Sequence, residues 1–177
     1  MSTPPWSVRR VHALSDAQID ELAGVLIDCV EGGASVSFMH PLARDRAVAF
    51  WRRVAHGVAA GERALLVAED ARGLCGTVQL VLDQPENQPH RAELSKLLVH
   101  RRARRQGMGD ALMRAAETTA RECGKTLLVL DTANGEAERL YERLGWERVG
   151  VIPGYALLPR GGLCGTTVYY RNLGART

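Results

Sequence analysis

The residue types best suited to chemistry are concentrated in a basic, glycine-bearing stretch at residues 101–109, RRARRQGMG. Apolar positions recur three or four residues apart after it, which predicts a helix beginning at Asp110. A helix N-terminus offers unpaired backbone N–H groups and the positive end of the helix dipole, and both suit phosphate oxygens. Gly107 and Gly109 allow the backbone to approach such a ligand closely. The stretch therefore predicts an anion site, and a pyrophosphate is the anion that best fits it.

Two well-known phosphate-binding turns match this stretch only in part. A P-loop requires lysine followed by serine or threonine after its second glycine, whereas Asp110 and Ala111 follow Gly109. A dinucleotide-binding unit is a closer alternative, because Asp131 ends the next predicted strand about twenty residues on, as a ribose-binding acid would. Against it, Leu112 replaces the third glycine, and too few residues follow for a second nucleotide-binding half.

The elements around this stretch follow from apolar periodicity and from turn-forming residues. The predicted order is one strand, two helices, three strands, a helix, a strand, a helix and two strands. Ser15 and Gln18 form a capping box for the first helix. The predicted strands cover residues 7–12, 64–70, 74–82, 91–99, 127–131, 146–152 and 165–173, and the helices begin after Ser15 and span 43–60, 110–124 and 136–144.

Length and composition describe one ordinary globular domain over residues 1–177. The chain is 46% hydrophobic with a formal net charge of +3, and we expect a proper apolar core. It contains no apolar run long enough for a membrane span and no signal peptide, so the sequence predicts a cytoplasmic protein. The four cysteines are scattered and the five histidines lack metal-ligand spacing, so neither disulfides nor a metal site is predicted.

Two linked motifs carry a family resemblance. Residues 104–109, RRQGMG, resemble the (Gln/Arg)-x-x-Gly-x-(Gly/Ala) motif of the GCN5-related N-acetyltransferases, and residues 134–146, NGEAERLYERLGW, resemble the second signature of that family. Arg101 stands where proline is common and Arg105 where glycine is common, and both departures leave the phosphate-binding logic intact. With the predicted element order, the resemblance covers nearly the whole chain.

This resemblance implies a fold, an activity and a set of coenzyme contacts. The implied fold is the α/β (α+β) GNAT fold, with a mixed central sheet of about six to seven strands flanked by about four helices. The implied activity is N-acetyl transfer from acetyl-CoA to an amine, without a metal. The coenzyme contacts implied are Leu98, Val99, Arg104, Arg105, Gln106, Gly107, Met108, Gly109, Asp110, Asn134, Ala137 and Tyr141.

The resemblance also implies catalytic roles for three side chains. Glu93 is the favoured base for the attacking amine, with Asp131 binding the substrate ammonium or sharing that role. Tyr141 resembles the family's general acid at the sulfur, and backbone N–H groups near Leu98 and Val99 would hold the acetyl oxygen. Structural roles remain open for each side chain: a solvated strand residue for Glu93, a turn cap for Asp131 and a core tyrosine for Tyr141.

A narrower resemblance concerns the acceptor. Residues 32–39, 92–99, 130–132 and 153–170 are similar to the tabtoxin-resistance acetyltransferases, which acetylate an amino-acid-like β-lactam. This implies a small amine-bearing substrate and a role in toxin or antibiotic resistance. Trp51 is assigned either to the acceptor pocket or to the core. The substrate contacts predicted are Ser35, Phe38, Met39, Glu93 and Asp131.

Two readings from other functional classes complete the hypotheses. A catalytically silent protein of this fold could act as a CoA-sensing regulator, although the three catalytic candidates argue against it. A nucleic-acid-binding module would use the arginine run, but no aromatic residues interleave these arginines to form a stacking platform. We therefore expect no nucleic acid and no membrane among the partners, and the sequence leaves open whether the chain is a monomer or a homodimer.

Overall fold

A computed structural model of the chain describes residues 5–174. The predicted order of strands and helices is confirmed. The elements, numbered in chain order, are β1 Trp6–Val11, α1 Asp16–Glu31, α2 Arg44–Ala59, β2 Arg63–Asp70, β3 Gly73–Val81, β4 Arg91–Val99, α3 Met108–Glu122, β5 Leu127–Thr132, α4 Gly135–Arg143, β6 Glu147–Leu157 and β7 Leu163–Asn172, with a 3₁₀ turn at Arg101–Ala103 between β4 and α3.

All seven strands join one mixed sheet in the order β1-β2-β3-β4-β5-β7-β6. Every neighbouring pair is antiparallel except β4 and β5, which are parallel at the centre. Four helices flank this sheet. The α/β fold predicted from the motifs is therefore confirmed, including the number of strands and helices.

The central strands place alternate side chains in two separate apolar layers. Leu66 and Ala68 of β2 belong to the layer that includes α3, whereas Leu65 and Val67 belong to the layer that includes α1 and α2. Such alternation is expected of strands covered by helices on both faces. The two layers fix β4 and β5 between them, and these two strands carry most of the candidate site.

Trp51 belongs to the α1–α2 layer and not to a pocket. Its side chain is fully buried, and the Phe50 ring packs against it at a centroid distance of 5.0 Å. Of the two roles assigned to Trp51 from the sequence, the structure supports core packing and contradicts the acceptor pocket.

Among the predicted boundaries that differ from the structure, two differ for identifiable local reasons. Helix α3 begins at Met108 rather than Asp110, because Gly107 serves as its N-cap with a φ of +79° and the Met108 side chain is buried in the core. Strand β6 continues past Pro153 to Leu157, although the Pro-Gly pair predicted its end at residue 152. An edge strand tolerates proline, and a register shift between Ile152 and Ala156 absorbs it.

The capping box predicted at the start of α1 is confirmed. Ser15 Oγ accepts a hydrogen bond from the Gln18 backbone N–H at 3.2 Å, and Gln18 Oε1 accepts one from the Ser15 backbone N–H at 2.9 Å. Ser15→Ala should lower the free energy of unfolding by about 1 kcal/mol, because it leaves a helix N–H without its acceptor. Urea denaturation measures this loss, and Ser7→Ala on β1 is the matched control. Equal stabilities of the two variants would contradict the capping role.

Candidate functional site

The site is built where the two parallel strands separate. Strands β4 and β5 pair only through Arg91–Glu93 and Leu127–Val129, and beyond Glu93 and Val129 they no longer pair. Strand β4 continues to Val99 against β3, while β5 continues to Thr132 against β7. The sheet therefore opens between two strands that each remain supported on their outer side.

A bulge in β4 strengthens this divergence. Thr77 of β3 lies opposite Leu98, but Gln79 lies opposite Ser95, so Lys96 and Leu97 together face a single β3 residue. Lys96 has a φ of +54°, in the left-handed region that residues other than glycine rarely adopt. An extra residue of this kind bends a strand and redirects its side chains.

Two adjoining cavities occupy the opening. One, of about 200 Å³, is lined by the ends of β4 and β5, the start of α4 and the loop after α1. The other, of about 270 Å³, is lined by β4, β5, β6 and β7. They share Leu94, Ser95, Leu130 and Asp131 as lining residues. We call the first the α4-side cavity and the second the β6-side cavity. Predicted site residues that line the α4-side cavity are Ser35, Leu98, Val99, Arg104, Asp131, Asn134, Ala137 and Tyr141.

Tyr141 reaches the α4-side cavity from a buried position on α4. Its ring packs against Trp146 and Tyr169 at centroid distances of 6.0 and 5.7 Å. Burial raises the pKa of the Tyr141 hydroxyl above its ordinary value, and the negative charge of Asp131 raises it further. The phenol therefore keeps its proton at neutral pH, as a proton donor must. The core role and the cavity role proposed for Tyr141 are compatible, because one side chain lies at both places.

Asn134 serves as the N-cap of α4 at the edge of the same cavity. Its side-chain oxygen accepts hydrogen bonds from the backbone N–H groups of Glu136 at 2.8 Å and Ala137 at 3.4 Å. That oxygen is used to start the helix, so the amide NH₂ is the part of Asn134 suited to a ligand. The asparagine thus also sets the position of Tyr141 through α4.

Glu93 and Asp131 lie on the same face of the sheet at the β6-side cavity. Glu93 is paired with Val129, and Asp131 follows two residues later on the same strand face. Asp131 Oδ2 accepts a hydrogen bond from Thr166 Oγ1 at 2.7 Å and lines both cavities. Glu93 lines only the β6-side cavity, and its carboxylate accepts from Arg91 Nη1 at 3.0 Å. Both carboxylates therefore face the opening, and Asp131 lies between the two cavities.

Lys96 is a cavity residue that the sequence interpretation missed. Its Nζ donates to Ser37 Oγ at 3.1 Å and lies 5.9 Å from the centroid of the Phe50 ring. Burial lowers the pKa of the Lys96 ammonium, while the nearby charge of Asp131 opposes that shift. The sequence signal that could have identified Lys96 is that it is a lone basic residue inside the apolar block of β4.

The basic stretch divides into structural and exposed arginines. Arg101 is held by Asp28, whose carboxylate accepts from its backbone N–H at 2.8 Å and its Nε at 2.9 Å. Arg102 forms an ion pair with Asp70. Arg104 donates from Nε to the Val99 carbonyl at 3.0 Å, so its guanidinium lies against the α4-side cavity.

The turn that begins α3 keeps its backbone accessible. Three consecutive residues just before the helix N-terminus are exposed to solvent: Arg105, Gln106 and Gly107. Arg105 has a φ of +60°. A Cβ on Gly107 would meet no atom within 4 Å, whereas one on Gly109 would lie 3.3 Å from Leu140. This open approach to unpaired N–H groups suits an anion.

Three of the predicted coenzyme contacts have side chains that are already engaged within the protein. Leu98 and Met108 have buried side chains that belong to the core, so only their backbone can meet a coenzyme. The Asp110 carboxylate accepts from Arg114 Nε at 2.6 Å.

Phe38 and Met39 line none of the cavities described here. Phe38 instead packs edge-to-face on Phe50 at 5.3 Å, and Met39 is exposed on the surface. The loop after α1 reaches the α4-side cavity through its earlier residues, 34–37.

Two further features bear on the class of protein. None of the helices described for residues 5–174 combines the length and the apolar character that a bilayer span requires. Within the same residues, no group of three or more His, Cys, Asp or Glu side chains is placed to hold a metal ion.

Comparisons with known proteins agree with this geometry. A 38% identical match over 87 residues relates the chain to human N-acetyltransferase 8B, covering 48% of this chain and only 38% of that protein's length. The acetyltransferase yncA of Salmonella typhimurium, solved with its cofactor acetyl-CoA, has a TM-score of 0.79 at 19% identity, covering 98% of this chain and 96% of that one.

The phosphinothricin acetyltransferase of Sinorhizobium meliloti, solved in complex with acetyl-CoA, has a TM-score of 0.77 at 18% identity, covering 96% of this chain and 89% of that one. Both structural likenesses concern the fold. The family model described as "Acetyltransferase (GNAT) family" matches residues 32–146. Because this match covers more than half of the sequence, the chain belongs to the GNAT acetyltransferase family.

Proposed function

We propose that the chain is an acetyl-CoA-dependent N-acetyltransferase that transfers the acetyl group directly to the amine of a small molecule. The observation that carries this proposal is the opening between β4 and β5, where Arg104 and Tyr141 line one cavity and the carboxylates of Glu93 and Asp131 line the adjoining one. Such an opening holds two reactants against one another. The family match and the acetyl-CoA in the two similar structures support it.

The residues present fit acetyl-CoA. Backbone N–H groups at the start of α3, with the exposed Arg105, suit its pyrophosphate. The part of the α4-side cavity lined by Arg104, Asn134 and Ala137 suits the pantetheine arm, which leaves the part near Asp131 and Lys96 to the acceptor. When bound, acetyl-CoA supplies an activated thioester, and the backbone around Leu98 and Val99 is our candidate to bind the acetyl oxygen as charge develops on it.

The side chains of the opening divide the proton transfers between them. An amine must be neutral to attack, so Glu93 or Asp131 takes its proton, directly or through water. Tyr141, which is protonated at neutral pH, donates a proton to the departing thiolate. Holding amine and thioester in attack geometry provides a large part of the acceleration.

The acceptor we propose is an amino-acid-like amine such as a toxic β-lactam amino acid. The resemblance to tabtoxin-resistance acetyltransferases supports it, and so does the likeness to a phosphinothricin acetyltransferase. The β6-side cavity, of about 270 Å³, is of a size suited to a small acceptor, which could extend past Asp131 into the adjoining α4-side cavity. A role in toxin resistance follows from that acceptor. The cytoplasmic location and the single domain stay predictions from the sequence, which leaves the choice between monomer and homodimer open.

Substitution of the two carboxylates separates their roles. If Glu93 is the base, Glu93→Gln should lower kcat by about 10²-fold. Asp131→Asn should mainly raise the acceptor KM, because it weakens ammonium binding. Steady-state kinetics with varied acceptor measures both effects. A raised acceptor KM with normal kcat for Glu93→Gln, together with a kcat loss of about 10²-fold for Asp131→Asn, would reverse the assignment.

The proposed function is tested by a screen of acceptors. Purified protein is incubated with acetyl-CoA and a panel of lactam-bearing and ordinary amino acids, simple amines and aminoglycosides, and release of free CoA thiol is followed. We expect amine-dependent thiol release above the background hydrolysis. Thiol release that no amine stimulates would contradict the function.

A further inference from the structure

Lys96 is a charged cavity residue that has no part in the reaction described above. It stands in the β4 bulge, two residues before Leu98, and lines the α4-side cavity together with Asp131 and Ser37. It is one of only two lysines in a chain that otherwise uses arginine for its positive charges. Residues other than glycine rarely adopt its left-handed backbone, so the surrounding structure must hold it there.

The groups around the Lys96 ammonium leave its charge only partly compensated. Ser37 Oγ accepts one of its hydrogen bonds at 3.1 Å, and the Phe50 ring lies 5.9 Å away. Both are neutral partners. The charged groups that act on Lys96 are Asp131, which stabilises the ammonium, and Arg63, which destabilises it. A half-buried cation in this situation favours an anionic ligand, because the ligand replaces lost hydration.

Lys96 and Asp131 place one positive and one negative charge in the site. Both line the α4-side cavity, and Asp131 also lines the adjoining β6-side cavity where Glu93 lies. An acceptor with an ammonium and a carboxylate has the complementary pair of charges. Its ammonium would lie at Asp131, close to the base, while its carboxylate would extend to Lys96.

We propose that Lys96 is a specificity-determining residue that binds the carboxylate of the acceptor. This inference rests on the proposed function and goes further, because it assigns the anionic end of the acceptor to one side chain. It predicts that simple amines are poor acceptors compared with amino acids of the same size. Because hydrogen bonds between charged groups are the strong ones, the expected discrimination is about 10- to 100-fold in kcat/KM.

The test compares substrates that differ only in the carboxylate. Amino acids that the screen identifies are paired with their carboxamides, which have nearly the same shape without the negative charge. Each pair is measured with the unaltered protein, Lys96→Met, Lys96→Arg and Lys125→Met. Lys125 donates to the carbonyls of Leu82 and Pro89 and lines none of the cavities described, so it provides the same chemical change elsewhere. The acid-to-amide ratio is compared between proteins, which cancels the intrinsic difference between the two amines.

We expect Lys96→Met to lower the acid-to-amide ratio of kcat/KM by about 10- to 100-fold, mainly through the acceptor KM. Lys96→Arg should restore part of the ratio, and Lys125→Met should leave it unchanged. An equal loss for acid and amide in Lys96→Met would overturn the inference, because it would indicate that Lys96 only holds the Ser37 loop. An unaltered ratio would overturn it as well.

The failure of this inference is distinguishable from the failure of the proposed function. Acetylation of acids and amides with no effect of Lys96→Met on the ratio would leave the transferase intact and remove the specificity role. If no pair is turned over, the proposed function fails, and the same pairs are then compared by calorimetric binding in the presence of CoA. Tighter binding of the acid that Lys96→Met abolishes would support the carboxylate site, and equal binding of acid and amide would refute it.

Discussion

Tyr141→Phe is expected to lower kcat by about 10²- to 10³-fold while the affinity for acetyl-CoA stays within about twofold. The substitution removes the proton donor to the thiolate and nothing else that the cavity uses. The ring contacts with Trp146 and Tyr169 are retained, so the buried end of α4 should not move. Single-turnover kinetics of acetyl transfer, together with calorimetric titration of acetyl-CoA, measures the two quantities separately.

The control for this variant is Tyr170→Phe. The Tyr170 hydroxyl donates to Glu147 at 2.5 Å on the β6–β7 pair, and Tyr170 lines none of the cavities described. Both substitutions remove a phenolic oxygen and leave the ring in place. We expect it to transfer acetyl groups at the unaltered rate. A Tyr141→Phe protein with normal kcat would contradict the general-acid role and leave Tyr141 as a core residue.

Gly107→Val is expected to weaken acetyl-CoA binding by about 10²-fold or more. Gly107 has a φ of +79°, which a β-branched residue adopts only at a cost of roughly 1–3 kcal/mol. The new side chain would meet no protein atom within 4 Å and would project toward solvent at the helix N-terminus, where the phosphates are expected. It would therefore obstruct the ligand while leaving the core packing intact.

The same helix provides a matched control at its other end. Gly124, just beyond α3, has a φ of +76°, and a Cβ there would also meet no atom within 4 Å. Gly124→Val should lose a similar free energy of unfolding and keep its affinity for acetyl-CoA. Calorimetric titration and urea denaturation of both variants separate backbone strain from ligand obstruction. Equal affinities of the two variants would contradict the phosphate site at Gly107.

Much of the framework could be predicted from the sequence because it depends on local patterns. Short apolar blocks gave the central strands, and the Ser15 capping box gave the start of α1. The anion site at the Gly107 turn rests on residue types alone and stays a prediction. These features depend on a few neighbouring residues, so no knowledge of distant contacts was needed.

The parts that could not be predicted depend on residues far apart in the chain. Arg101 and Arg102 belong to the basic stretch, yet Asp28 and Asp70 from distant elements hold them in place. The bulge at Lys96 arises from the register between β3 and β4, which no local pattern specifies. These contacts decide which basic residues are structural and which face the cavity.

Membership of the family does not by itself establish what this chain acetylates. A fold supports many activities, and the acceptor is selected by the side chains that line the opening. Asp131, Glu93 and Lys96 are the charged side chains on which our account of the acceptor depends. Direct transfer of the acetyl group at this opening is therefore the central claim.

Isotope-labelled acetyl-CoA tests that claim most directly. The protein is incubated with acetyl-CoA labelled in the acetyl group and with the amine panel, and both small molecules and protein are analysed by mass spectrometry. The account predicts labelled N-acetyl amine in equal amount to the CoA released, with no label retained on the protein. Tight binding of acetyl-CoA without labelled amine would contradict it and would indicate a CoA-sensing protein instead.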